Sequence, residues 1–305
     1  MSLEQPLAAT EEVENGRGVH SEAWRLFGAT ADRCQRVYPR TATPRESGYT
    51  RGVPKLSVTI ITLNEARNIE AALASVSWAD EVIVVDSGSR DDTVGIATRF
   101  GARVSQRDWP GYGAQKDHAA SLATHEWVLS LDADERVTPE LAAEIQEVLG
   151  HDPPCFGYRM PRTTRYLGQW LRTTDFYPDH QLRLYDRRTG RWSRASVHES
   201  VQVDGAVGTL RHDLRHHPYS DLAAHVRTIN HYTTLAAAEQ FARGRRAGVL
   251  DLLVRPPLAF ARNYLLRLGC LQGVTGLVVS IMNAHYVFLK QVKLRELGLR
   301  AGREG

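Results

Sequence analysis

Between residues 56 and 150, apolar and polar positions alternate in blocks rather than singly. LSVTIITL (56–63) is rich in β-branched residues and apolar on both parities, as expected of a strand buried on both faces of a parallel sheet. Ile69, Leu73 and Val76 then recur at i, i+4 and i+7, one face of a helix. The alternation continues with strands expected at 81–85, 103–106 and 127–131, and with helices at 91–100, stopped by Gly101, and near 114–123. A further helix is expected from Thr138 as N-cap, with Pro139 at N1, to about Leu149. Strands alternating with helices are βαβ units, so the fold class is α/β, a Rossmann-like, mostly parallel sheet. Ligands of such sheets lie beyond the carboxyl ends of the strands. Chemistry is therefore expected just after Leu63, Val85 and Leu131.

Past Pro153 the pattern changes to extended pieces at 157–161, 181–185 and 198–203, which predict mixed or antiparallel strands that complete the site. From Ser220 helices take over, one long segment reaching about Arg243 and another following Pro256-Pro257. Residues 1–54 show no sustained apolar period and read as a flexible N-terminal extension. The expected organisation is thus an extension (1–54), a catalytic α/β domain (55–215) and a helical, basic C-terminal region (216–305).

The composition, 42% hydrophobic and 24% charged, excludes a collagenous, coiled-coil or wholly disordered chain. The net charge of +3 hides an asymmetry: from Arg211 onward there are 14 Lys+Arg against 6 Asp+Glu, while the first 210 residues hold 24 against 29. Cations beside apolar sequence suit an anionic membrane surface, and nucleic acid is not expected as a partner. The 22 residues 268–289 carry no formal charge and are long enough to span a bilayer. Gln272, Gly276, Ser280 and Asn283 nevertheless fall along one side, which makes the segment amphipathic. Arg243, Arg245, Arg246, Arg255, Arg262 and Arg267 precede it, and Lys290, Lys293 and Arg295 follow. Interfacial attachment is favoured over a true span or a soluble packed subdomain. The cysteines Cys34, Cys155 and Cys270 are scattered without a C-x-x-C pair, so neither a disulfide framework nor a zinc site is indicated. The N-terminus lacks a basic region followed by an apolar stretch, and a cytoplasmic location is expected.

Polar residues stand where the sheet predicts a ligand: Thr62, Asn64 and Glu65 after the first strand, Asp86-Ser87-Gly88-Ser89 after the second, and Asp132-Ala133-Asp134-Glu135 after the segment ending at Leu131. One such carboxylate alone is more often a helix cap or turn former; three groups at strand ends argue for a site. Either Asp132 or Asp134 can ligate a divalent cation while the other contacts a ribose or a metal-bound water. Hard oxygen ligands favour Mg²⁺ or Mn²⁺. A cation held by so few carboxylates must be completed by substrate phosphates, which implies a nucleoside diphosphate. The competing reading is a set of acidic residues preceding the helix at Thr138.

LSVTIITLNEARNIEAALASV, EVIVVDSGSRDDT, RDWPGYGAQKDHA and WVLSLDADERVTPEL together resemble the family 2 glycosyltransferases of GT-A fold. HQLRLYDRRTGRW and VHESVQVDG bring the chain nearest to a lipopolysaccharide-core β-1,4-glucosyltransferase-like branch. The resemblance implies an inverting, metal-dependent transferase that moves a hexose, with glucose the sugar suggested, from an NDP-sugar, a UDP-sugar above all. The acceptor it implies is a hydroxyl of a lipid-linked or cell-envelope saccharide at the cytoplasmic side of the inner membrane. Thr62, Asn64 and Glu65 would line the nucleotide pocket, Asp86 would contact base or ribose, and Asp132 and Asp134 become the D-x-D. Gln115 and Lys116 would meet the donor. Glu199, after His198, is the candidate general base, with Asp175 and Asp179 as rivals. Arg183, flanked by Leu182 and Leu184, is expected to face the site, and Arg159, Arg162, Arg165 and Arg172 surround it. Transfer to a polyprenyl phosphate, and a non-catalytic membrane-tethered nucleotide-sugar binding protein, are the alternatives.

Overall fold

The computed structural model describes residues 54–151, 153–193 and 200–302. The extension expected at 1–54 lies outside the described residues apart from Pro54, and so do His198 and Glu199.

β1 (Leu56–Thr62), β2 (Glu81–Asp86), β3 (Arg103–Gln106) and β4 (Trp127–Asp132) lie parallel in the order β3-β2-β1-β4. All seven residues of β1 are buried, because helices cover both faces of the sheet. On one face Ile69, Leu73, Leu141 and Ile145 pack with Val58, Ile60, Leu129 and Leu131. On the other Ala119, Ala120 and Trp192 pack with Ile61, Ile83 and Val85. The covering helices are α1 (Ile69–Ser75), α2 (Thr93–Arg99), α3 (Tyr112–Ser121) and α4 (Pro139–Gly150). At the start of α4 the Thr138 hydroxyl accepts the Leu141 N–H at 3.1 Å, the cap read from the sequence.

The sheet continues from β4 through β8 (Asp179–Asp186), β6 (Gly157–Tyr166) and β12 (Leu214–His216) to β5 (Glu135–Val137) at its edge; β11 (Val207–Thr209) pairs with β6, and β9 (Gly190–Trp192) and β10 (Val201–Val203) form a separate pair. β8 is antiparallel to both β4 and β6. A parallel half closed by an antiparallel half is the GT-A arrangement. β6 and β8 run beyond the pieces expected at 157–161 and 181–185, since they pair from Gly157↔Tyr185 to Arg162↔Asp179. The polar run Arg162-Thr163-Thr164-Arg165 carries no apolar alternation; its backbone is held by β8, by β12 and by the short strand β7 (Gln169–Trp170). Cys155 is buried, while Cys270 is exposed and free.

Helices follow: α5 (Leu222–Ala242), α6 (Val249–Ala261) and α7 (Gly273–Ala301), with a π turn at Arg262–Leu266 and a 3₁₀ turn at Gly269–Gln272. Pro256 and Pro257 lie inside α6 rather than ahead of a helix. The helix starts earlier because the Asp251 carboxylate accepts the Gly248 N–H at 2.8 Å and pairs with Arg255 at 2.6 Å. The helical stretch Gly269–Ala301 is long and apolar enough to cross a membrane by length and composition, with a mean hydropathy of 1.2 over an 18-residue window. Thr275, Gly276 and Ser280 pack inward with Val279, Gln291 and Leu294, and a Cβ at Gly276 would lie 1.8 Å from the Gly269 carbonyl oxygen. Other apolar residues of this region face out. Leu250 (75% exposed) and Leu253 of α6, Leu266 (80%) and Leu271 of the turns, and Val274 (76%) of α7 form an apolar surface without protein cover among the described residues.

Candidate active site

A cleft of about 1310 Å³ opens at the carboxyl ends of β1 and β4, lined among others by Thr62, Glu65, Lys116, Asp132, Asp134 and Arg183. Asp132 ends β4 between two cations. Lys116 Nζ lies 2.9 Å from Asp132 Oδ1, and Arg183 Nη2 lies 2.6 Å from Oδ2. The same Arg183 nitrogen lies 2.8 Å from Oε1 of Glu135, which also receives Arg162 Nη1 at 2.9 Å. Glu135 Oε2 accepts the Asp132 backbone N–H at 3.0 Å, so the turn 132–135 folds its last acid back onto its first. Arg162 reaches on to Asp179 at 2.6 Å. Burial alone would raise the Asp132 carboxyl, but Arg183 and then Lys116 outweigh it and hold the group well below the usual carboxylate range. Burial likewise opposes the Arg183 charge, and Asp132 and Glu135 restore it, raising that guanidinium above its ordinary value.

Asp134 is placed differently. It lines the cleft, and its Oδ2 lies 3.3 Å from His216 Nε2. A carboxylate oxygen and an imidazole nitrogen side by side are suitable donors for Mn²⁺ or Mg²⁺. No group of three or more His, Cys, Asp or Glu that could hold a metal ion exists among the described residues, so the remaining ligands would have to be phosphate oxygens and water. Asp132 has an oxygen on each of two cations, whereas Asp134 meets His216 and lines the cleft, so Asp134 could hold a cation with fewer contacts to give up. The sequence names Glu135 as the end of Asp132-Ala133-Asp134-Glu135 without giving it a role, and does not point to His216. Alternation along ERV puts Glu135 on the buried side with Val137, a signal present in the sequence; nothing in HH at 216–217 distinguishes His216.

Thr62 presents a hydroxyl that is buried and lacks a hydrogen-bond partner. Burial pushes the Glu65 carboxyl up against a hydrogen bond from Asn68, and Asp134 and Asp132 push it further. Three other expected residues brace the site from behind and do not line the cleft. Asn64 adopts φ 56°, a left-handed conformation that asparagine tolerates; its side-chain oxygen accepts the Arg90 N–H at 2.8 Å. Asp86 is fully buried and accepts the N–H groups of Gly88 and Ser89, each at 2.9 Å. Gln115 donates to Ser87 Oγ at 3.0 Å, and its own carbonyl oxygen is unpartnered. Of the rival bases, Asp179 is paired with Arg162, and Asp175 is gripped by Arg262, by Arg267 at 3.4 Å and by Asn283 at 3.1 Å. Glu199 lies outside the described residues; the adjacent Ser200 lines the cleft.

Residues 57–216 match the family model described as glycosyl transferase family 2. An uncharacterised glycosyltransferase of Rickettsia typhi is 33% identical over 260 residues, covering 81% of this chain and 89% of that protein. The lipopolysaccharide core biosynthesis glycosyltransferase LpsC of Rhizobium meliloti is 30% identical over 252 residues, covering 79% and 93%. Among solved structures, a mannosyltransferase of Pyrobaculum calidifontis in complex with GDP-Man and Mn²⁺ is similar with a TM-score of 0.49 and 18% identity, covering 80% of this chain and 88% of that one.

Proposed function

The chain belongs to glycosyl transferase family 2, and from that premise we propose an inverting, metal-dependent transfer of a hexose from a UDP-sugar to a hydroxyl of a lipid-linked or envelope saccharide. The carrying observation is the pair Asp134–His216, open to the cleft beside an Asp132 fixed by Lys116 and Arg183. The similarity to a lipopolysaccharide core transferase supports an envelope acceptor. When bound at Asp134 and His216, a divalent cation supplies Lewis-acid stabilisation of the departing diphosphate. Thr62 and Glu65 bind the nucleoside, and Asp132, held in one orientation by its two cations, accepts from the ribose. Lys116 and Arg183 keep the site cationic where phosphates arrive.

Direct displacement needs a base opposite the leaving group to take the acceptor proton, and Glu199, next to the cleft-lining Ser200, is assigned that role. The test is release of UDP from UDP-glucose by the full chain with Mn²⁺ and a core saccharide. Glu199→Gln should lower kcat by ~10²- to 10⁴-fold with donor affinity unchanged. Full activity in that variant would remove Glu199 as the base.

The outward apolar face of α6 and the following turns, beside Arg255, Arg262, Arg267 and Lys290, supports peripheral attachment to an anionic membrane at its cytoplasmic side. Replacing Leu253 and Leu266 with glutamate should reduce co-flotation with phosphatidylglycerol vesicles by more than about tenfold, at an unchanged melting temperature. Undiminished flotation would sink the assignment.

A further inference from the structure

On the side of the sheet opposite His216, three arginines stand in a row. Antiparallel pairing puts Arg136 of β5 directly opposite Arg215 of β12, and parallel pairing puts Arg215 beside Thr163 of β6. Arg165, two residues after Thr163, shares that face, while Glu135 and His216 alternate to the cleft side. Trp170 of β7 pairs with Arg165; the Arg215 guanidinium lies 5.3 Å from the Trp170 ring centre, and the ring of His217 meets that indole edge-on at 5.2 Å.

This arrangement is unfavourable as it stands. Like charges directly opposite on a sheet repel, and among the described residues none of the three arginines forms an ion pair with a carboxylate. The Arg136 Nε is buried without a hydrogen-bond partner. A patch needed only for solubility would interleave acids with these cations. A pocket of about 310 Å³ adjoins the row, lined by Arg165, His217, Tyr219, Ser220 and Asp221. Its one carboxylate, Asp221, is occupied in capping α5, accepting the Ala224 N–H at 2.7 Å and the Ser220 hydroxyl at 3.0 Å. Tyr219 also lines the catalytic cleft, so pocket and cleft are neighbours around the segment 216–219.

We propose that Arg136, Arg165 and Arg215 hold an anionic group of the acceptor, a phosphate or carboxylate on a sugar remote from the hydroxyl that reacts. The proposal rests on the glycosyl-transfer reading and narrows its acceptor. β5 is the end strand of the sheet, so a chain can pass around it from the arginine row to Asp134. The path is on the order of a sheet layer, roughly 10 Å. That length requires an oligosaccharide, and the anion sits on a different unit from the reacting one.

The experiment is calorimetric titration of the full chain at low ionic strength with glucose 6-phosphate, glucuronate and glucose. The wild type should bind the phosphosugar at least about tenfold more tightly than the double variant R136Q/R215Q, and should not bind glucose measurably. Without ligand the double variant should melt higher than the wild type, because the repulsive pair is gone. Arg165→Gln, at an exposed position, gives a second reading should the double variant fold poorly. Equal affinity of the variants and the wild type for the phosphosugar overturns the proposal. So does a deficit confined to phosphatidylglycerol vesicles, which would make the row a lipid-headgroup contact. NDP-sugar binding is read in parallel: its absence would fell the transferase reading and leave the anion site standing.

Discussion

Asp134→Ala is expected to lower UDP release about 10²- to 10³-fold at saturating Mn²⁺, the scale set by removing one electrostatic stabiliser of a transition state. It should also abolish the extra stabilisation that Mn²⁺ adds to UDP in a melting experiment. Among the described residues the side chain's ion pair is with His216, at 3.3 Å, and it is partly open to the cleft, so the fold should persist. His216→Ala should weaken the same Mn²⁺ response. A variant lacking Asp134 that keeps both turnover and the metal response would remove the cation from this position.

The second large effect is on stability. Arg183 is 3% exposed and joins Asp132 to the fully buried Glu135. Arg183→Met leaves Glu135 to share Arg162 with Asp179, and leaves Asp132 with Lys116, so the cluster holds one carboxylate more than its cations while Glu135 stays fully buried. Breaking such a pair costs about 3–5 kcal/mol, to be read as a lower urea midpoint with an unchanged slope. Adding Glu135→Gln should recover part of the loss, since the charge left behind is removed. A single variant within about 1 kcal/mol of wild type would mean that water or a shifted lysine takes over the arginine's place.

The parallel half was legible because β1, β2 and β4 are apolar on both parities, and because Thr138-Pro139 is a helix start by local chemistry alone. Thr62, Glu65, Asp132 and Asp134 followed from that, since strand ends define where ligands go. Position at a strand end does not specify direction, however. Asn64 and Asp86 occupy the expected places and turn their oxygens into loop N–H groups, a difference set by a few backbone angles. His216 reaches Asp134 only through the pairing of β12 with β5, a contact between segments about 80 residues apart that no local pattern encodes. The strand through Arg162-Thr163-Thr164-Arg165 escaped the apolar criterion because its register comes from its neighbours. In α7 the amphipathic period was visible, but which residues face protein was not: Thr275, Gly276 and Ser280 are buried together with Val279, Gln291 and Leu294, a selection made by the neighbouring elements.

Asp175 has a consequence for how the chain can be divided. Its carboxylate is gripped by Arg262, Arg267 and Asn283, its backbone N–H donates to Asn263 at 2.8 Å, and the preceding Thr174 N–H donates to the Arg267 carbonyl at 2.9 Å. The segment so fastened leads directly into β8, the strand that carries Arg183. The terminal helices therefore brace one wall of the reaction chamber from outside. Trimming them away to obtain a tidier enzyme would unseat that wall, and what remained would be an inaccurate stand-in for the intact molecule.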